Sequence, residues 1–464
     1  MKISFVGAAQ TVTGSQILVE ANGSKILLEC GLYQGKRSDF YRINQSFPFN
    51  VSEVDALLLS HAHIDHCGNI PNLVKQGFEK KIYATEATVS LADIMLRDSA
   101  HIQESDVEYT NKKRARRGEA PIKPLYTIND AERACQKFIP KLYNQIFEPA
   151  PGIRAEFIEA GHILGSAAIK LDISENGKSQ TIWFSGDIGR EKLPLLKDPV
   201  LPQNIDYLIM ESTYGDKPHR DPDLAYVEFR DVVTRTIRRG GKVIIPAFAV
   251  GRTQEMVYFL NQMVANQDIP PIPVYVDSPL AVNASDIFKQ YANLFDEETK
   301  EFIRKGQHKA LNFPNLHYTR SVEESKKIND QFEPMVIISA SGMAETGRIL
   351  HHLRNNLENP KNTIMIVSWQ APNTLGRRLA EREKFVRIFG QIFERRAEIA
   401  TIGGLSAHAG QDFLLDYALA SRSTLKGIFL VHGEKIAAES LMDLMEKNKL
   451  GPVYYPKRED FVVI

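Results

Sequence analysis

Cysteine is scarce in this chain and wrongly spaced for a scaffold. Cys30, Cys67 and Cys135 are odd in number, far apart and without a C-x-x-C pair, which excludes a disulfide framework and a thiolate metal site. Long apolar runs are missing too, so no segment reaches bilayer-spanning length and no membrane partner is expected. The opening "MKISFVGAAQTVTG" lacks the apolar core and cleavage pattern of a signal peptide, and a reduced, cytoplasmic setting is the simplest expectation. Net charge is absent as well: 57 Lys and Arg balance 57 Asp and Glu, so bulk electrostatics gives no argument for a polyanionic partner. Any such argument has to come from local features. At 464 residues the chain exceeds one ordinary core and is expected to form roughly two to four domains.

What the chain does have is histidine concentrated in one place. "SHAHIDHCGNIP" sets His61, His63, Asp65 and His66 within six positions, directly after the apolar run Val54–Leu59. Four such groups in a half-buried turn would each cost free energy if left unpaired, and a bound cation removes that cost. Alternate residues of an extended segment point the same way, so His61 and His63 can grip one ion while Asp65 and His66 face a second. Nitrogen donors mixed with a carboxylate suit zinc, and manganese or iron less well.

The first two hundred residues read mostly as strands joined by tight turns. Asn22-Gly23 in "QILVEANGSKILLE" and Asn176-Gly177 in "IKLDISENGKSQTIWF" carry the preferred two-residue hairpin chemistry. Between them, a helix-like stretch from about Glu86 to Ile146 contains "NKKRARRG" at 111–118, which could guide a polyanion but reads more simply as a solvated loop. From about residue 213 the texture changes. Ala225, Phe229, Val233 and Ile237 recur at helical spacing, Gly240-Gly241 ends that helix, and "KVIIPAFA" follows as a buried strand. The next helix sets Met256, Leu260 and Met263 on one face, and "MVIISASGMAETGRILHHL" repeats the strand, turn and helix order. This alternation predicts a mainly parallel sheet with helices on its faces. Short strands return after about residue 376. The expected organisation is a first domain over 1–212, an inserted α/β domain over 213–376, and completion of the first domain over 377–464.

Three further ligand candidates stand in small-residue turns: His162 in "EAGHILGSA", Asp187 in "FSGDIGR" and His408 in "LSAHAGQ". Alone, each fits an ordinary loop or turn cap. Together with the hexad they supply the inventory of a two-metal hydrolytic site, with one carboxylate bridging two ions about 3.5–4 Å apart and a hydroxide shared between them. A serine mechanism is discounted, because "SASGM" lacks the G-x-S-x-G elbow.

"HAHIDH", "GHILGS", "SGDIG" and "SAHAG" resemble the successive signatures of the metallo-β-lactamase fold. "MESTYG" at 210–215, the inserted α/β block and the late His408 resemble its β-CASP subgroup of nucleases, and the likeness runs over nearly the whole chain in the family's order. The resemblance implies an α/β fold, an αββα sandwich interrupted by a Rossmann-like β-CASP domain. It implies two Zn2+ per chain, with His61, His63 and His162 on the first, Asp65, His66 and His408 on the second, and Asp187 bridging. Glu211 matches an acidic residue that orients a metal-bound histidine. The chain departs from the family at Glu29, where an aspartate is usual in a supporting role. It departs again at Arg378, where some relatives carry a histidine proposed as general acid. Arginine cannot deliver a proton near neutral pH but can neutralise a transition state, so the expected catalytic set is Asp65, Asp187, Glu211, His408 and Arg378.

The implied activity is zinc-dependent hydrolysis of phosphodiester bonds in single-stranded RNA. In the family's RNA-cleaving branch a histidine stands where His408 does, whereas the DNA-repair branch has an apolar residue. Phosphate contacts are expected at three strand-to-helix turns, "FAVGRTQ", "SASGMAETGR" and "APNTLGRR", whose helix N-termini present backbone N–H groups. Arg252, Thr253, Ser341, Gly342, Gly347, Arg348 and Arg377 are the RNA-binding candidates there, though such turns also serve as plain connectors. His351, His352 and His432 receive no secure role, and a homodimer is compatible with the sequence. Two alternatives remain open. One is a metallohydrolase acting on DNA or a small phosphodiester, thioester or lactam, and the other is a nonenzymatic RNA-binding subunit.

Overall fold

A computed structural model describes residues 1–35, 37–306 and 308–464. It divides into two compact units, one comprising Met1–Glu191, Asp198–Pro218 and Ala407–Ile464, the other Lys192–Lys197 and His219–Ser406.

The first unit is built on two seven-stranded sheets. One orders its strands Phe461–Val463, Lys2–Gly7, Gln16–Ala21, Ser24–Leu28, Ala56–Leu58, Lys81–Thr85 and Phe138–Lys141. The other orders Val453–Tyr454, Gly427–Val431, Tyr207–Glu211, Lys178–Phe184, Ala167–Glu175, Ile153–Glu159 and Phe147–Ala150. The period-two alternation of strand side chains decides what each face buries. Ile182 and Phe184 join Ile3, Phe5, Ile17 and Leu28 in a core formed by both sheets, whereas Trp183, Leu208 and Met210 point the other way. That second face is covered by Leu414 and Tyr417 of helix Gln411–Leu419 and by Leu441 and Met445 of helix Lys435–Lys447. Helix Glu86–Ala115 lies along strands Lys81–Thr85 and Phe138–Lys141 of the first sheet and buries Leu91 and Leu96. The layers are therefore helix, sheet, sheet, helix.

Both Asn-Gly pairs make the expected hairpins. Asn22 and Gly23 have φ of 52° and 74°, and Asn176 and Gly177 have 51° and 77°, the left-handed pair that a type I′ turn requires. The basic run differs from its reading as a loop: residues 111–115 continue helix Glu86–Ala115, and the chain turns only at Arg116–Gly118. A second helix, Ile128–Cys135, closed by a Thr127–Asp130 capping box, and strand Phe138–Lys141 occupy the remainder of that stretch.

The second unit holds a six-stranded, wholly parallel sheet in the order Leu316–Thr319, Val274–Asp277, Val336–Ser339, Val243–Pro246, Thr363–Ile366, Glu398–Thr401. Helix Pro222–Arg238 buries Ala225, Phe229, Val233 and Ile237, and Met256, Leu260 and Met263 are fully buried on helix Arg252–Ala265. The unit closes at Ser406 rather than at 376. Strand Glu398–Thr401 pairs with Thr363–Ile366, and hairpin Phe385–Ile388/Gln391–Glu394 precedes it, so residues 377–406 belong here and not to the first domain. Among the described residues, no helix is long and apolar enough to cross a membrane.

Candidate metal centre

The centre lies wholly in the first unit, where strand ends from both sheets deliver its side chains. Glu29 follows strand Ser24–Leu28, the hexad follows Ala56–Leu58, and His162 follows Ile153–Glu159. Asp187 follows Lys178–Phe184, Glu211 ends Tyr207–Glu211, and His432 follows Gly427–Val431. Close backbone approach locks the turns together. A Cβ on Gly31 would stand 1.6 Å from the Asp65 carbonyl oxygen, and one on Gly189 would stand 1.9 Å from that of Gly161, so only glycine fits at either position.

Three imidazoles converge on one point. His63 Nδ1 lies 3.1 Å from His61 Nε2 and 3.2 Å from His162 Nε2, and Asp187 Oδ2 stands 3.5 Å from both Nε2 atoms. Donors about 2 Å from one tetrahedral ion stand about 3.3 Å apart, so this spacing suits a shared cation. Burial is the main reason the His61 ring is held at about 3 and the His63 ring at about 4, and it pushes His162 well below the usual histidine range. The rings are therefore neutral, as metal ligation requires.

A second set adjoins the first. His66 Nε2 lies 3.2 Å from Asp187 Oδ1 and 3.3 Å from His432 Nε2, and His432 Nε2 lies 3.5 Å from Asp65 Oδ2. His432 Nδ1 is 3.4 Å from Asp187 Oδ1. Asp187 thus faces both sets, one carboxylate oxygen to each. It is 2% exposed, and its Oδ1 accepts no hydrogen bond among the described residues, an orphaned acceptor that a cation would satisfy. Burial opposes its charge, yet the surrounding His432, His66 and His408 hold the carboxyl well below its usual range. The donors present fit a metal ion.

The ring that joins Asp65 and His66 is therefore that of His432, and His408 stands elsewhere. His408 Nδ1 lies 3.1 and 3.0 Å from the two Glu211 oxygens and 3.9 Å from Asp187 Oδ2. Asp187, Glu211 and His408 are also within reach of one another as donors. Buried Glu211 accepts the Ile188 N–H at 2.6 Å, and the Ala409 N–H donates to the Ile188 carbonyl at 2.8 Å, so the Asp187 turn and the His408 turn are tied through one carboxylate. Burial works against the His408 cation, but the Glu211 and Asp187 charges outweigh it and raise the ring to about 9. In sequence His432 shows only as a single histidine directly after the apolar strand "GIFLV" and before a glycine, which by itself does not mark a ligand.

Supporting contacts set the tautomers. Glu29, fully buried with φ 65°, stands 2.6 Å from His66 Nδ1 and accepts the Ser60 N–H at 2.6 Å and the Ser60 hydroxyl at 2.9 Å. Ser60 Oγ in turn is 2.9 Å from His61 Nδ1. With Nδ1–H of both histidines donated to this chain, the Nε2 lone pairs are left to face the centre.

In the second unit the RNA-binding candidates have the following surroundings. Arg252 is buried in an ion pair with Glu255, and the Thr253 hydroxyl donates to the Phe248 carbonyl at 2.7 Å. Arg348 donates to Asp277 at 2.7 Å and to the Arg320 carbonyl at 2.6 Å. Ser341 Oγ accepts the Glu345 N–H at 3.2 Å, Gly342 packs under the Phe248 ring, and Gly347 takes φ 82°. Arg377 pairs with Glu381 at 2.6 Å on an exposed helix face. Arg378 pairs with Glu383 at 2.8 Å and reaches the Phe385 carbonyl, so its charge is matched locally. His352 is buried 2.6 Å from Asp277, a packed residue of this unit.

Comparison with known proteins adds an independent line. Family profiles match in three places: a metallo-beta-lactamase superfamily domain over residues 18–188, a Beta-Casp domain over 253–379, and a Zn-dependent metallo-hydrolase RNA specificity domain over 393–456. The chain is 36% identical over 435 residues to Ribonuclease TTHA0252 of Thermus thermophilus, covering 94% of each protein. It is 30% identical to an RNase J-like protein of Methanocaldococcus jannaschii, covering 98% of each. Against the transcription termination factor FttA of the same organism it is 30% identical over its whole length and 71% of that protein. A protein of unknown function from Enterococcus faecalis V583 shares the fold, with a TM-score of 0.56 at 13% identity over 100% of this chain and 99% of that one.

Proposed function

Because the chain belongs to the β-CASP family of the metallo-β-lactamase superfamily, we propose that it is a two-zinc ribonuclease hydrolysing single-stranded RNA. The observation that carries this reading is the gathering of His61, His63, His162 and Asp187 on one point, beside a second set in which His66 and His432 face the other Asp187 oxygen and Asp65 stands by His432. The first group would hold one zinc and the second the other, with Asp187 shared between them. Zinc supplies a water ionisable at roughly neutral pH and neutralises charge on the phosphate.

The chain's own residues do the rest. Glu29 keeps His66, and through Ser60 also His61, with Nε2 toward the centre. Glu211 accepts Nδ1–H of His408 and stabilises the ring's cationic form, leaving a proton on Nε2 for the departing ribose oxygen. His408 thereby takes the general-acid role that Arg378 cannot fill. The preference for RNA is supported by the profile matched over 393–456 and by the relatives named as ribonucleases. The preference for single strands is the finer part of the proposal: His61, His66 and Asp187 are at most 2% exposed, and a flexible, unstacked strand adapts to a recessed centre more readily than a stacked duplex.

Metal analysis of the purified chain, combined with incubation of end-labelled single-stranded RNA with and without chelator, tests the proposal. Two zinc equivalents and chelator-sensitive cleavage are expected. A chain that binds metal but leaves RNA intact would sink it in favour of a small-molecule hydrolase. RNAs with 5′-triphosphate, 5′-monophosphate and circular ends would then separate internal from end-directed cutting.

A further inference from the structure

The basic run at the end of the long helix takes no part in the metal centre. Lys112 pairs with Glu108 at 2.8 Å and Arg114 with Glu119 at 2.9 Å. Lys113, Arg116 and Arg117, by contrast, pair with no carboxylate among the described residues. Lys113 Nζ sits 4.3 Å from the ring centre of Tyr109, which is 62% exposed. Lys113, Arg117 and Tyr109 line a hollow of 520 Å³.

A second hollow of 490 Å³ adjoins it, the two sharing Tyr41, Asp106 and Thr110 as walls. Its inner end is formed by Leu32 and Ile64. Ile64 stands between His63 and Asp65, and the Leu32 N–H donates to its carbonyl at 2.9 Å, so this hollow begins beside the metal-binding turn. Its walls carry the edge-to-face rings of Phe40 and Tyr41 together with the carboxylates of Asp98 and Asp106. The trough is thus aromatic and acidic near the centre and cationic at its far end.

We propose that this trough is a second RNA-contact tract, taking unpaired bases in the inner hollow and strand phosphates on Lys113 and Arg117 of the outer hollow and on exposed Arg116 in the turn beside them. The inference rests on the ribonuclease reading. Aromatic rings offer stacking surfaces to any base, and the two carboxylates accept hydrogen bonds from base amino groups. Unpaired lysine and arginine complement phosphate. An acidic protein segment would suit the far end but be repelled by Asp98 and Asp106, which favours a ligand that is anionic along its backbone and a hydrogen-bond donor at its bases.

The test is a triple charge reversal, Lys113→Glu/Arg116→Glu/Arg117→Glu, in the full metal-loaded chain, with a neutral triple-Gln variant beside it. Binding is read by anisotropy of a long, labelled phosphorothioate RNA that resists cleavage, and turnover by hydrolysis of bis(p-nitrophenyl) phosphate. The reversal should raise Kd for the long RNA about tenfold and lower the salt slope by about 2, with the Gln variant intermediate. Turnover of the small diester should be unchanged. An unchanged Kd and slope overturn the tract and leave the basic edge to a protein partner. If the wild-type chain binds the long RNA but never cleaves natural RNA, while the reversal weakens binding, the tract stands and the ribonuclease reading falls.

Discussion

At the scale of single residues, two histidines divide the work. His432 shares the Asp65–His66 set, whereas His408 is held by Glu211 at the edge of the centre. Their alanine variants should therefore fail differently. His408→Ala should retain both metal equivalents and lose about 10²–10⁴ in turnover, the usual worth of a general acid. His432→Ala should lose about one metal equivalent, both read by elemental analysis beside RNA cleavage. Equal metal loss in the two variants would mean that His408 is a ligand after all. Glu29 carries a third expectation: Glu29→Gln replaces the carboxylate that orients His66, and metal affinity should drop about 10–100-fold in a competition titration. The hexad could be read from sequence because four donors fall within six positions. His432 could not, since an isolated histidine at a strand end looks the same whether it ligates or packs. Only three-dimensional proximity separated it from His408, 24 positions earlier in a more conspicuous small-residue turn.

At the scale of elements, local chemistry that needs no distant partner was legible. Both Asn-Gly hairpins, the Pro222–Arg238 helix and the parallel order of the second unit's sheet follow from turn residues and periodicity. The end of the second unit was not, because Glu398–Thr401 is a short strand whose sheet is chosen by pairing with Thr363–Ile366 and not by its own composition. The partners of the arginines were hidden for a related reason: charge is visible in sequence but the carboxylate that pairs with it is not. Asp277, fully buried at the end of strand Val274–Asp277, is the clearest instance. It accepts from Thr319 and Ser325 at 2.6 Å and Arg348 at 2.7 Å, and faces His352 at 2.6 Å. Burial opposes its charge, but the hydrogen bonds from His352, Ser325, Thr319 and Arg348 outweigh it and hold the carboxyl below its ordinary range. Asp277→Ala should destabilise the second unit by about 3–5 kcal/mol in urea unfolding at neutral pH, because it strands the Arg348 charge. A depressed carboxyl contributes stability above its unfolded pKa and loses it as protons bind the native form. The gap between wild type and variant should accordingly narrow as pH falls below about 4.

At the scale of the whole molecule, the metal donors come from the first unit's long N-terminal segment and from its last segment, with the entire second unit lying between them in sequence. Asp65 and His66 meet His432 across more than three hundred and sixty positions, a separation of 366 residues for the His66–His432 pair. An ion held there acts as a clasp between chain segments whose loop closure is otherwise entropically costly. It also relieves the Asp187 acceptor and the crowded imidazoles, so it binds the native first unit far better than the unfolded chain. By mass action, free metal at a thousandfold over its dissociation constant should stabilise that unit by about 4 kcal/mol. The second unit has its own core of Ile244, Ile337, Leu353 and Ile364 and supplies none of these donors. Calorimetry of the full chain should therefore resolve two transitions, of which chelation lowers one by several degrees and leaves the other in place. The assignment follows from Asp277→Ala, which should lower the metal-independent transition alone. If chelation moved both transitions together, or neither, the donors gathered around Asp187 would not be acting as a metal clasp of the first unit.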